Sequence, residues 1–63
     1  MNPIHWIPLS RESAPDGVPV HTKIDDENGP RNEQVMTRRG NLWFAGDMYV
    51  YYRPTHWARI TLD

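Results

Sequence analysis

Residues 40–52, GNLWFAGDMYVYY, determine the fold because they contain two turn signals separated by short apolar strands. Each turn begins with glycine, at Gly40 and at Gly46, and glycine suits the first position of a two-residue hairpin turn. The residues between and after the turns are rich in aromatic side chains, which favour strands. The segment therefore predicts consecutive antiparallel strands joined by tight turns.

These strands are apolar on both faces. Side chains alternate along a strand, so Trp43 is predicted to point away from Leu42 and Phe44. By the same rule Tyr49 and Tyr51 share one face. A chain of 63 residues has little material to cover both faces of a sheet, so part of this aromatic surface is expected to contact another molecule.

The length of the chain predicts a single small domain over residues 1–63 that needs an additional source of stability. The chain has no cysteine, which excludes a disulfide and a zinc site built from thiolates. Seven aromatic residues are present, and each large ring buries about 150–250 Å². We therefore expect either a tight aromatic core or self-association.

Charge is unevenly distributed along the chain, although the formal net charge is only -1. Residues 1–30 contain two basic and five acidic residues, whereas residues 31–63 contain five basic and three acidic residues. This balance argues against a general binder of nucleic-acid backbones, which needs a basic surplus. It permits a charge-complementary contact with a protein or with a second copy of the chain.

The sequence does not predict a membrane protein. It has no stretch approaching 18 apolar residues, and its start lacks the basic residues and apolar core of a signal peptide. The absence of cysteine is compatible with a reducing compartment.

The remainder of the chain favours extended structure, since six prolines interrupt nearly every window for a helix. The opening residues 4–9 are interpreted as an edge strand or extended arm, because Pro8 lacks a backbone donor. Residues 18–24 alternate as in a half-buried strand, and residues 25–30 are interpreted as an acidic loop. Residues 31–38 permit a strand or a short helix, and the strand is preferred.

Together these segments predict an all-β fold, an antiparallel β-meander of four or five short strands with an extended N-terminal arm. The meander is either open or curled towards a barrel. The last strand is predicted over residues 57–62. Four residues are assigned to the structure, namely Trp6, Phe44, Val50 and Trp57.

Four short motifs stand in a characteristic order: WIPLS at 6–10, PDGVPV at 15–20, LWF at 42–44 and PTHW at 54–57. In this order the chain resembles a family of small phage and prophage proteins that contain a domain of unknown function. The resemblance ends after the last motif, where ARI replaces the Met-Pro-Leu-Pro typical of the family. It implies a phage origin and a location in the cytoplasm of the bacterial host, and it implies no catalytic residue.

A metal site is a weak prediction of this sequence. His5, His21 and His56 would have to converge, with Asp25 or Asp26 adding an oxygen ligand, and no two histidines are closely spaced. We interpret them as surface or turn residues and expect no metal or cofactor. His56 is expected to bond to the backbone of the neighbouring turn.

Catalysis is not predicted either. The serine and threonine hydroxyls stand in no nucleophile elbow, and so short a chain provides little material for a pocket that excludes water. We therefore expect a protein that is not an enzyme.

Two binding functions remain. Aromatic rings beside arginines on a sheet suit single-stranded nucleic acid, because an exposed base can stack on a ring. Tyrosine, tryptophan and arginine also dominate protein-binding hot spots, and a contact with a host or phage protein, or with a second copy, is the favoured prediction. The residues predicted to make this contact are Trp43, Tyr49, Tyr51, Arg38, Arg39 and Arg53.

One alternative leaves less surface for a partner. The N-terminal arm, with Trp6, Ile7 and Leu9, could fold over one face of the sheet. It would not easily cover both faces.

Overall fold

A computed structural model of the protein describes residues 4–60, which form one antiparallel sheet of six strands in the order β1-β6-β2-β3-β4-β5. The strands are β1 (Ile7–Pro8), β2 (Pro19–Asp26), β3 (Gly29–Arg39), β4 (Leu42–Ala45), β5 (Met48–Val50) and β6 (His56–Arg59). The predicted all-β fold is confirmed, and residues 31–38 belong to a strand. The predicted end of the last strand, at residues 61–62, lies outside the described residues.

The meander is confirmed for β2 to β5, whereas β6 returns to pair with the far side of β2. β1 then adds to β6, so the described sheet has six strands instead of four or five. The extended arm of the prediction therefore contributes an edge strand of two residues before it crosses the sheet.

The short link between β5 and β6 forces the sheet to curl. In a flat sheet four interstrand steps of about 4.8 Å would separate these two strands. β5 and β6 also run in the same direction, so the link must return along the strand length. Residues 51–55 extend roughly 3.3–3.6 Å each, which is too short for both displacements. The sheet is not closed into a barrel, since β1 and β5 at its edges do not pair among the described residues.

The two predicted hairpin turns are present. Gly40 and Gly46 both have φ of 64°, a conformation that glycine adopts without a Cβ clash. The pairs that flank them are Arg39 with Leu42 and Ala45 with Met48, so each loop has two residues. The predicted acidic loop at 25–30 is shorter than expected, because Asp25 and Asp26 pair with Pro30 and Gly29 and leave only residues 27–28 unpaired.

The core lies on one face of the sheet, and the N-terminal arm, which continues through residues 9–18, packs against it. Its buried residues from the strands include Val20, Met36, Trp43, Val50 and Trp57, and Ala14 and Leu9 of the arm pack against them. Trp57 is fully buried, and its Nε1 donates to the carbonyl of Glu12 at 2.9 Å. The structural assignment of Val50 and Trp57 is confirmed, and Trp6 and Phe44 are half-buried.

Candidate protein-binding face

The face of the sheet opposite the core carries a cluster of largely apolar side chains on β3, β4 and β5. Arg39 pairs with Leu42, and Phe44 pairs with Tyr49. Directly paired residues point to the same face, and these four alternate with the buried residues of the same strands. We call the set Arg39, Leu42, Phe44 and Tyr49 the outer patch.

The side chains of the outer patch contact one another. The rings of Phe44 and Tyr49 lie 5.8 Å apart in an edge-to-face arrangement, and the Cζ of Arg39 lies 5.9 Å from the centre of the Phe44 ring. Leu42 is 46% exposed and Tyr49 is 54% exposed. The patch therefore presents apolar surface that is held in place by cross-strand contacts before any partner arrives.

The arm covers another part of the same face. The Trp6 ring lies 6.4 Å from the His21 ring in an edge arrangement, and the Nζ of Lys23 lies 4.6 Å from the centre of the Trp6 ring. Both contacts are on β2, whereas the outer patch lies on β3 to β5. Ile7 and Leu9, which follow Trp6, pack against the core on the opposite side. The arm thus covers the core face and only one end of the outer face.

Trp43 was expected at the partner contact, and this expectation is wrong. It is only 4% exposed and pairs with Val50 on the core face. Strand alternation correctly separated Trp43 from Phe44, but alternation alone does not say which face the arm covers. On the other face, the sequence interpretation missed Leu42 as a surface residue, and Phe44 beside it is half-buried.

Arg38, another residue predicted at the contact, is engaged by the fold itself. Its Nε and Nη2 donate to the carbonyl of Ala14 at 3.0 and 2.7 Å, and its Nη1 donates to the carbonyl of Gly40. The Asp16 carboxylate lies 3.6 Å from Nη1 and accepts the backbone N–H of Gly40 at 2.7 Å. Arg38 therefore ties the arm to the turn between β3 and β4.

The remaining predicted contact residues do not form one site. Arg39 and Tyr49 meet around Phe44 in the outer patch. Tyr51 is 88% exposed, and its ring lies 5.8 Å from that of Tyr52. Arg53 is exposed but lines a shallow pocket beside Leu9 and Trp43, at the rim of the core face.

The two aspartates beside the turn between β2 and β3 are paired with cations. Both carboxylate oxygens of Asp26 accept hydrogen bonds from Arg31, at 2.8 and 3.0 Å. These bonds, with a further one from the backbone N–H of Asn28, lower the pKa of Asp26 to about 2. Asp25 lies 3.1 Å from the Nζ of Lys23. Both aspartates are therefore paired with cations of the same β2–β3 hairpin.

The three histidines do not converge. His21 contacts Trp6, and the Nδ1 of His56 lies 2.8 Å from the Oγ1 of Thr55, a side-chain partner instead of the expected backbone one. Residues 4–60 contain no group of three acidic or histidine side chains that could hold a metal ion. The same residues contain no helical segment with the length and apolarity that a membrane span requires.

Comparisons of this chain with protein-family models, with curated proteins and with solved structures found no match. The resemblance to small phage proteins therefore stays a prediction from the sequence motifs.

Proposed function

We propose that the protein is a non-enzymatic module that binds another protein through the outer patch. The observation that carries the proposal is the contact of exposed Tyr49 with the half-buried ring of Phe44, with exposed Leu42 beside it, on the part of the sheet that the arm leaves open. The motif resemblance makes a host or phage protein in the bacterial cytoplasm the expected partner.

The chemistry of the outer patch favours a protein over a nucleic acid. Arg39 is the only cation of the patch, and its guanidinium already lies near the Phe44 ring. Arg38 is engaged by backbone carbonyls, and Arg59 lies near Glu12 and over Trp57. Affinity for a phosphate backbone needs several free cations, whereas one arginine beside aromatic and aliphatic side chains is typical of a protein hot spot.

The test compares two single variants of equal exposure. Leu42 and Val18 are both 46% exposed, but Val18 does not belong to the outer patch. Leu42→Ser is expected to weaken capture of the partner from bacterial lysate by about tenfold, because an apolar contact is lost at the interface, while Val18→Ser leaves it unchanged. Thermal unfolding of both variants checks that each still folds.

Equal capture by the wild type and Leu42→Ser would reject the outer patch as the contact. Single-stranded oligonucleotide binding is the competing outcome. It would be identified by an affinity that falls steeply as salt rises, together with the loss of that affinity in Arg39→Ala.

A further inference from the structure

The free edges of the sheet differ in how they are protected against pairing with another strand. β1 is only two residues long and contains Pro8, which cannot donate a backbone hydrogen bond. β3 pairs with β4 only at residues 37–39, and its open portion contains Pro30 and a register shift near Asn32, whose φ is 56°. Proline, irregular register and short length are the devices by which natural proteins block strand addition.

The edge formed by β5 has none of these features except shortness. Residues 48–52, MYVYY, contain no proline, no charge and no register shift. Met48 is 70% exposed and Tyr51 is 88% exposed, the two highest fractions among the exposed large hydrophobic residues of the described part of the chain. Such an edge is a site where another strand adds to the sheet.

The hairpin geometry directs free backbone groups towards this edge. In a two-residue hairpin the pair that flanks the turn, here Ala45 and Met48, exchanges hydrogen bonds. The next pair, Phe44 and Tyr49, therefore does not, and the N–H and C=O of Tyr49 point away from β4. These groups are available to a further strand.

The charges at the two ends of this edge identify its occupant. Asp47 precedes residues 48–52 and Arg53 follows them, and none of the four ion pairs found within residues 4–60 involves either residue. If two copies of the segment lie antiparallel and are centred on Val50, the end of the edge at which Asp47 of one copy enters is the end at which Arg53 of the other copy leaves. Opposite charges are therefore brought to each end of the joined edge. The segment is thus complementary to itself.

We infer that a second copy of this chain adds to the β5 edge in this antiparallel register, and forms a two-fold dimer. Tyr49 of one copy then lies opposite Tyr51 of the other, which extends β5 by one residue and buries the two exposed rings against each other. The two outer patches lie on the same side of the joined sheet. The inference goes beyond the proposed function, because the dimer does not require the outer patch to bind another protein.

The test exchanges the two charges. Analytical ultracentrifugation of the wild type is expected to show a reversible dimer of the 7.4 kDa chain. Asp47→Arg and Arg53→Asp should each weaken it by about tenfold or more, because two attractive pairs become two repulsive pairs. The double variant should regain the wild-type Kd, and a mixture of the two single variants should form mixed dimers although neither associates well alone.

Circular dichroism and thermal unfolding of each variant separate lost dimerisation from lost folding. A wild type that stays monomeric at millimolar concentration would overturn the inference. So would a double variant that fails to dimerise, or a mixture of single variants in which no mixed dimer forms, because the contact would then lie elsewhere or take a strand of another protein. Leu42→Ser should dimerise like the wild type, which separates this test from that of the outer patch.

Discussion

The two faces of the sheet are built from neighbouring residues of the same strands, yet one face is buried as the core and the other is largely exposed. On β4, Trp43 points into the core and Phe44 points outward; on β3, Arg38 holds the arm and Arg39 lies near the Phe44 ring. The side-chain types of the two faces are alike. What separates them is the arm, which covers one face and reaches only one end of the other. In a sheet this small, the segment that covers a face determines which residues form the core, more than residue type does.

The largest expected effect separates the two faces at adjacent residues. Trp43→Ala should cost about 3–5 kcal/mol, because a buried ring is lost and a cavity remains. A domain of this size has only about 3–9 kcal/mol of stability, so the variant should be largely unfolded. Tyr49→Ala, on the outer face, should cost about 1 kcal/mol or less. Urea unfolding followed by circular dichroism measures both, and equal losses would contradict the distinction.

The next effect compares two adjacent arginines. Arg38→Ala should cost about 1–3 kcal/mol, because the part-buried carbonyl of Ala14 loses its donors. Arg39→Ala should change the free energy of unfolding by less than about 0.5 kcal/mol, as is usual for surface positions. Hydrogen exchange provides a second measurement: Arg38→Ala should also speed exchange of the Gly17 amide, which donates to the carbonyl of residue 38. An unchanged Gly17 rate would mean that the arm is held by other contacts.

A smaller effect compares two threonines of nearly identical shape. Thr22 is fully buried on the core face, and its hydroxyl donates to the carbonyl of Gln34 at 2.8 Å. Thr22→Val keeps the volume and removes this bond, so it should cost about 0.5–1.5 kcal/mol. Thr37→Val, beside Phe44 on the outer face, should be neutral within about 0.5 kcal/mol. Thermal unfolding midpoints measured at one pH would reveal the difference, and a reversed order would contradict the assignment of the faces.

The smallest change in stability is expected at the turn between β2 and β3, which the arm does not cover. The pKa of Asp26 is lowered from 3.8 to about 2, so its ion pair with Arg31 stabilises the fold above about pH 4. This contribution is lost as the pH falls from about 4 through 2, because the carboxylate is protonated in the folded state as well. The pair is exposed, so the change should be slight. Asp26→Asn should flatten the pH dependence of stability in this range, and an unaltered profile would show that other carboxylates cause it.

The sequence alone predicts those features that depend on residues close together in the chain. The glycines at 40 and 46 set two-residue turns, and these turns set the register that places Phe44 opposite Tyr49. The same register could have assigned Phe44 to the exposed face, had the covered face been known. The return of β6 to β2 and the path of the arm depend on contacts between distant residues, which no periodicity encodes. For that reason the burial of Trp43 and the bonds of Arg38 to the arm were not predicted.

The position of β6 has a consequence for how the chain reaches its folded state. β6 comes last among the described strands but pairs with β1 on one side and β2 on the other, and it carries the fully buried Trp57. A growing chain on the ribosome therefore cannot complete its apolar interior until residues 56–59 have left the exit tunnel. Until then, the apolar residues of the hairpins from β2 to β5 remain exposed to water. Folding of this protein is expected to be a single late event, and to be slow for its length because its decisive pairings are non-local.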